Sequence, residues 1–265
     1  GKELKSAGAH VLGLKDMAGL LKPAAATALV KALKDEVGLP IHFHTHDTSG
    51  IAAATILAAS DAGVDVVDAA MDAFSGSCRR RAPRSRRSGM AAPASEVYLH
   101  EMPGGQFTNL KAQARSLGLE ERWHEVAQAY ADVNQMFGDI VKVTPSSKVV
   151  GDMALMMVSQ GLTRAEVEDP DIDVAFPDSV IDMMRGNLGQ PPGGFPPAFV
   201  AKVLKGEAPN VERPGKHLPA TDLEAVRADV SKQLEGFALD NEDLCGYLMY
   251  PKVFLDYMGR HRTYG

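Results

Sequence analysis

The sequence predicts an α/β protein whose first third builds a parallel sheet and whose remainder is mostly helical. Three observations carry this. Short apolar runs recur at intervals of roughly 25 to 30 residues between residues 9 and 71, with amphipathic stretches between them, which is the pattern of βαβ crossovers. Aromatic residues make up only 6% of a chain that is 45% hydrophobic, and 12 Met share the apolar mass with Ala, Leu and Val. That balance favours helices over a β-sandwich. From residue 93 onward helical periodicity prevails and no further β/α alternation is visible.

The elements follow in order. Residues 9–15 (AHVLGLK) form a short apolar run ending on a charge, and Pro23 to Val37 carries an amphipathic helical pattern. Gly38-Leu39-Pro40 punctuates, and IHFHTHD, residues 41–47, reads as a second strand. Gly50 to Ala62 is an Ala-rich helix closed by Gly63, and VDVVDAAM, residues 64–71, is the third strand. A barrel and a doubly wound sheet fit this pattern equally well. Helical patterns then cover Leu110 to Leu117, Glu120 to Phe137, Ser147 to Gln160, Thr221 to Leu234 and Asn241 to Met249. The stretch GQPPGGFPP, residues 189–197, reads as a surface loop.

Residues 77–92 break the texture, with six arginines between Arg79 and Arg87 and almost no apolar residue. A shifted reading frame, a basic arm for phosphate or nucleic acid, and a solvated linker all fit. Elsewhere the net charge of -6 speaks against the broad cationic surface that nucleic-acid binding needs. Cys78 and Cys245 stand far apart, so neither a disulfide framework nor a zinc knuckle is expected. No run reaches membrane-span length, and Gly1-Lys2-Glu3 does not open a signal peptide. A first residue other than Met is expected of a chain cut from a longer one.

The chemistry concentrates in His42-Phe43-His44-Thr45-His46. Alternate residues of a strand share a face, so His44 and His46 form a two-ligand metal arm. Imidazole suits several transition metals, so the spacing implies a metal without naming it. His42 has the same parity one pleat deeper and is read as a supporting or core residue. Lys15 ends the preceding strand and places an amine at the same rim. Burial there lowers an amine pKa, and a neutral amine can take up carbon dioxide to give an anionic carbamate ligand. Thr144, in Thr-Pro-Ser-Ser before a helix, reads by itself as part of a capping segment.

Several blocks resemble the carboxyltransferase domain of the pyruvate carboxylase family. They are KDMAGLLKPAAA, GLPIHFHTHDTSGIAAAT, DAGVDVVDAAMDAFSG, PASEVYLHEMPGGQFTNLKAQARSLGL, MFGDIVKVTPSSKVVGDMALMMV and YLMYPKVFLDY, and their order extends the resemblance over essentially everything except residues 77–92. The resemblance implies an incomplete TIM-type (β/α) barrel: residues 1–76 hold its last three β/α units, and residues 93–265 form a helical, funnel-like extension. The extension is expected to keep its family structure better than the barrel part.

The resemblance further implies a divalent metal (Zn, Mn or Co) held by carbamylated Lys15, His44 and His46. The family's aspartate ligand and its pyruvate-binding Arg and Gln belong to strands before Gly1. Thr144 takes the place of the threonine that relays a proton between pyruvate and the biotin ring. The implied reaction carboxylates pyruvate to oxaloacetate. Carboxybiotin comes from another domain, because no AMKM-like attachment sequence and no ATP-binding glycine loop is present here. Other domains or subunits of a homo-oligomeric carboxylase are the implied partners, in the bacterial cytoplasm or in mitochondria. The isolated chain is expected to be inactive. The rival readings are an oxaloacetate decarboxylase α-subunit-like carboxyltransferase, a more distant homocitrate-synthase-like or hydroxymethylglutaryl lyase enzyme, and a non-catalytic interaction fragment.

Overall fold

The computed structural model describes residues 1–68, 95–216 and 218–264. The Arg-rich segment, with the three readings it admits, lies outside the described residues, as do the expected boundaries at 76, 77, 92 and 93. Two compact units are present, Gly1–Pro214 and Gly215–Gly265.

The first unit opens with α1 (Lys2–Ser6) and then alternates β1 (Leu12–Asp16), α2 (Pro23–Glu36), β2 (Ile41–Thr45), α3 (Ala52–Asp61) and β3 (Val66–Val67). The strands pair in parallel in the order β1-β2-β3. The α/β class and the parallel sheet are therefore as expected. β1 starts three residues later than the apolar run suggested. Its ladder begins where Leu12 N–H donates to the Pro40 carbonyl (2.8 Å), and Pro40 has no N–H to return. The third strand pairs over Val66–Val67, with flanking bonds from Asp65 N–H to the Ile41 carbonyl (3.0 Å) and from Asp68 N–H to the Phe43 carbonyl (3.1 Å).

The pleat divides the sheet's side chains. Ile41 and Phe43, 0% and 1% exposed, pack against Ala26 and Val30 of α2 and Ala59 of α3. His42 and His44 alternate with them and point away from that core. Lys15 lies directly opposite His44 in the register, so it shares the histidine face.

Residues 95–214 are helical. α4 (Val97–His100), α5 (Gly104–Ser116), α6 (Trp123–Met136), α7 (Ser146–Gln160), α8 (Arg164–Glu168), α9 (Asp178–Arg185) and α10 (Pro197–Val203) surround a core that includes Tyr130, Phe137, Val150, Met153 and Met184, all at most 2% exposed. α5 begins six residues before the expected Leu110. Gly104 and Gly105 are poor helix formers and hide that start, but Pro103 precedes it with extended backbone and Gly104 N–H is engaged by the Met17 carbonyl at 2.9 Å. Glu120–Arg122 is a 3₁₀ turn rather than the first turn of α6. α8 carries a Thr163/Glu166 capping box, and α10 follows directly on the loop at 189–197.

The second unit contains α11 (Leu223–Gln233), α12 (Asn241–Met249) and α13 (Pro251–Tyr264) around Val230, Leu234, Leu239 and Met258. Asp222 and Asp240 cap α11 and α12. Arg227 donates to the Leu239 carbonyl at 2.6 Å and to the Asp240 carbonyl at 3.0 Å, which closes the α11–α12 turn. Cys245 is a free, exposed thiol.

His100 ends α4, 2% exposed, and stacks on Phe107 with ring centroids 5.7 Å apart. Its Nδ1 accepts the Met102 N–H at 3.0 Å, while its Nε2 is buried without a protein partner among the described residues. Burial pushes its pKa down to about 4. The unfolded chain takes up this proton below about 6.5 and the folded chain does not, so stability is lost as pH falls from about 6.5 towards 4, by up to about 3 kcal/mol. Urea unfolding between those pH values should show this slope. His100→Asn keeps an acceptor for Met102 and should lose one proton's worth of it.

Candidate metal centre

The carboxyl end of the sheet is organised by Asp16. Its side chain accepts N–H bonds from Leu20 (2.9 Å) and Leu21 (3.1 Å) and the hydroxyl of Thr45 (2.8 Å), while its carbonyl accepts His46 N–H at 3.2 Å. One residue thus shapes the β1–α2 loop and ties it to the end of β2. Gly19 in that loop has φ +67, and a Cβ there would stand 2.1 Å from the His46 carbonyl oxygen, so the backbones meet where only glycine fits. Asp47 Oδ1 accepts Ala52 N–H at 3.2 Å at the start of α3.

At this rim, Nε2 of His44 and Nε2 of His46 approach to 3.3 Å, with ring planes 69° apart. Burial lowers the pKa of His46, and the neighbouring His44 and Lys15 lower it further. The Lys15 charge therefore acts on the same spot. Two nitrogens ligating one tetrahedral cation at about 2.0–2.1 Å stand about 3.3 Å apart, so the pair fits a shared ion.

Across β3, Asp68 accepts from both other ring positions. Oδ1 lies 2.6 Å from His42 Nε2 and Oδ2 lies 2.6 Å from His44 Nδ1. These bonds, His42 first, hold the Asp68 carboxyl below the ordinary carboxylate range. Extending the β2–β3 register by one pleat sets Asp68 opposite His44, so Lys15, His44 and Asp68 form one row across three strands. The sequence reading brought Lys15, His44 and His46 together and left His42 aside, but it passed over Asp68. The available signal was a carboxylate interrupting an apolar strand, the same signal that singled out Lys15. Among the described residues, no group of three or more His, Cys, Asp or Glu side chains is arranged as a ligand cluster.

A loop from the helical half closes on the histidines. Gly104, at the start of α5, lies so near that a Cβ would fall 2.6 Å from His46 Nδ1 and 3.1 Å from Thr48 Oγ1. The same loop holds Glu101, left-handed at φ 55, which pairs with Lys142 at 3.0 Å. Lys142 belongs to the α6–α7 loop, which carries Thr144. Thr144 is exposed and does not cap α7. The cap position is Pro145, without a side-chain bond, and Ser146 Oγ instead donates to the Val141 and Val143 carbonyls at 2.8 and 2.7 Å and accepts Val143 N–H at 3.1 Å. The capping reading of Thr144 is corrected by this geometry: α7 has no side-chain cap, and Ser146 bonds the backbone of the preceding loop.

Comparison with known proteins agrees with the α/β fold. The model of the "Conserved carboxylase domain" family matches residues 97–265, and an "HMGL-like" model matches residues 1–77. The chain belongs to the conserved carboxylase domain family. Its relatives are pyruvate carboxylases: that of Bacillus subtilis (strain 168) is 44% identical over 299 aligned positions and the human mitochondrial one 43% identical over 303, each covering the whole chain. Both alignments exceed the chain's 265 residues, so each relative carries residues that this chain lacks. The solved carboxyl transferase domain of Rhizobium etli pyruvate carboxylase, with pyruvate and biocytin, is 58% identical and superimposes with a TM-score of 0.89 over 99% of this chain and 50% of that one. The chain is the counterpart of part of the pyruvate carboxylase carboxyltransferase domain, and it spans about a quarter (26%) of the length of those curated relatives. No helix among the described residues is long and apolar enough to cross a membrane.

Gly104 does not have the positive φ that would demand glycine, so Ala there should leave helix α5 as stable as before or stabilise it slightly. Its methyl group would instead displace the His46 ring. Gly104→Ala should therefore shift the His46 ring resonances in NMR with an unchanged melting temperature, and unmoved resonances would show that the ring is not displaced.

Proposed function

We propose that this chain forms part of the active site of a biotin-dependent carboxyltransferase that converts pyruvate to oxaloacetate, with Lys15, His44 and His46 holding a divalent cation. The observation that carries this reading is the 3.3 Å approach of the two Nε2 atoms, with Lys15 opposite His44 in the strand register. The two ring nitrogens converge there, and a carbamylated Lys15 adds an anionic oxygen. A divalent cation so held supplies Lewis-acid stabilisation of charge developing on an enolate oxygen. Zinc and cobalt suit the tetrahedral spacing of the two nitrogens, and manganese remains compatible with the ligand types.

The three parallel strands are the last units of a larger (β/α) barrel, with residues 1–76 contributing to the barrel and residues 93–265 to its helical extension. A parallel sheet is ordinarily covered on both faces. Here α2 and α3 cover one face, while the face bearing Lys15, His42, His44 and Asp68 is substantially exposed among the described residues. A barrel interior is the environment that such a face fits.

Thr144 moves a proton between pyruvate and the ureido ring of biotin. Its hydroxyl is exposed and free of hydrogen bonds among the described residues, and its loop is tied through Lys142 and Glu101 to the segment that covers His46. Carboxybiotin comes from another domain of a multidomain carboxylase, in the cytoplasm of a bacterium or in a mitochondrion.

Metal analysis of the purified chain should find about one zinc per chain, and background metal in the His44→Ala, His46→Ala double variant. Equal metal in both would sink the assignment. In the intact carboxylase, Thr144→Ala should lower carboxylation at least about 100-fold, the usual contribution of positioned proton transfer, while Thr144→Ser should retain most of the activity. Equal loss in both variants would point to packing instead.

A further inference from the structure

Three histidines alternate with core residues in β2 and its end, and one carboxylate treats two of them differently. Among the described residues, Asp68 is the side chain that meets both His42 Nε2 and His44 Nδ1, at 2.6 Å each. An ionised carboxylate accepts hydrogen bonds and donates none. Each contacted nitrogen must therefore carry its proton, which fixes both tautomers. His44 becomes Nδ1–H, so its Nε2 presents a lone pair, and it is this Nε2 that lies 3.3 Å from His46 Nε2. His42 becomes Nε2–H, so that nitrogen is occupied by a proton and a bond. The same carboxylate thus prepares one imidazole as a ligand and removes its neighbour from the contest.

We propose that Asp68 is a positioning residue for this centre, bridging His42 Nε2 and His44 Nδ1 so that His44 Nε2, and not His42, is aimed at the cation site. The bland alternative is a pair of exposed His–Asp contacts of little consequence, since the side chains of His42, His44 and Asp68 are 41%, 29% and 46% exposed. Three features go beyond that. Both carboxylate oxygens are used, each on a different ring. Backbone register supports the contact, because Asp68 N–H bonds the Phe43 carbonyl at 3.1 Å and so holds Asp68 level with His44. The far nitrogen of the bridged ring meets a second imidazole at 3.3 Å. A histidine ligand whose other nitrogen donates to a carboxylate is more basic and fixed in orientation, and loss of such a partner typically weakens metal affinity by about 10–100-fold.

The inference rests on the proposed metal role of His44 and His46, but its first test does not need metal. Long-range proton–nitrogen correlation on the metal-free, labelled chain at about pH 8, where free imidazole is neutral, reads each tautomer directly. His44 should be Nδ1–H and His42 Nε2–H, with His44→Ala assigning the signals. In Asp68→Asn, whose amide must donate to one ring, the His44 or His42 tautomer should change. His44 found as Nε2–H in the unmodified chain overturns the proposal, and that measurement decides it even if Asp68→Asn does not fold. Zinc competition then adds the functional reading: Asp68→Asn should bind about 10–100-fold more weakly, and His42→Gln, which keeps an N–H for Asp68, within about threefold of the parent. Parent-like zinc affinity in folded Asp68→Asn would also overturn it. Zinc at background in the unmodified chain would instead defeat the metal assignment and leave the tautomer result to judge Asp68.

Discussion

The alternation of the pleat in β2 is the constraint on which the rest of this structure depends. Ile41 and Phe43 are buried against α2 and α3, and that burial sets which way every other residue of the strand faces. A slip of one residue would turn two histidines into an apolar core and two large apolar side chains outward, at a cost of several kcal/mol. The hydrophobic core thus holds the imidazoles in place without touching them. The parallel register carries the same instruction to the neighbouring strands, where it sets Lys15 and Asp68 in one row with His44.

Loops complete what the strands begin. Asp16 spends its carboxylate on the β1–α2 loop and on Thr45, and is thereby committed to holding the rim together. The helical half then reaches the same rim through Gly104, whose lack of a side chain admits the His46 ring. A helix start built on two glycines is locally weak, and here that weakness accompanies a close approach that a larger residue would meet only by displacing the His46 ring. The Glu101–Lys142 pair joins this loop to the one bearing Thr144, so three segments far apart in sequence converge on one region of the first unit.

The electrostatics of the row are consistent with a cation site. Burial and its charged neighbours keep His46 neutral to lower pH than a free imidazole, while Asp68, bonded to two imidazoles, stays ionised. Neutral imidazoles backed by a carboxylate are the state that a divalent cation requires, since a protonated ring offers no lone pair.

The sequence alone determined what depends on local periodicity and residue chemistry. Alternating apolar residues located β2, helical spacing located α2, α3, α6, α7, α11 and α12, and His44, His46 and Lys15 were recognisable because charged or ligating groups interrupt apolar strands. The family resemblance was legible for the same reason, as contiguous blocks. Only the tertiary structure decided the rest, because it depends on contacts between distant segments. Asp68 acquires its meaning only when β3 pairs beside β2. The start of α5 is decided by a carbonyl of Met17, not by the propensity of Gly104 and Gly105. Ser146 rather than Thr144 bonds the backbone before α7, a choice between hydroxyls two residues apart that no spacing rule distinguishes. Periodicity reports which face a residue occupies, but a partner across a sheet or between loops is fixed by register and packing, which exist only once the chain has folded.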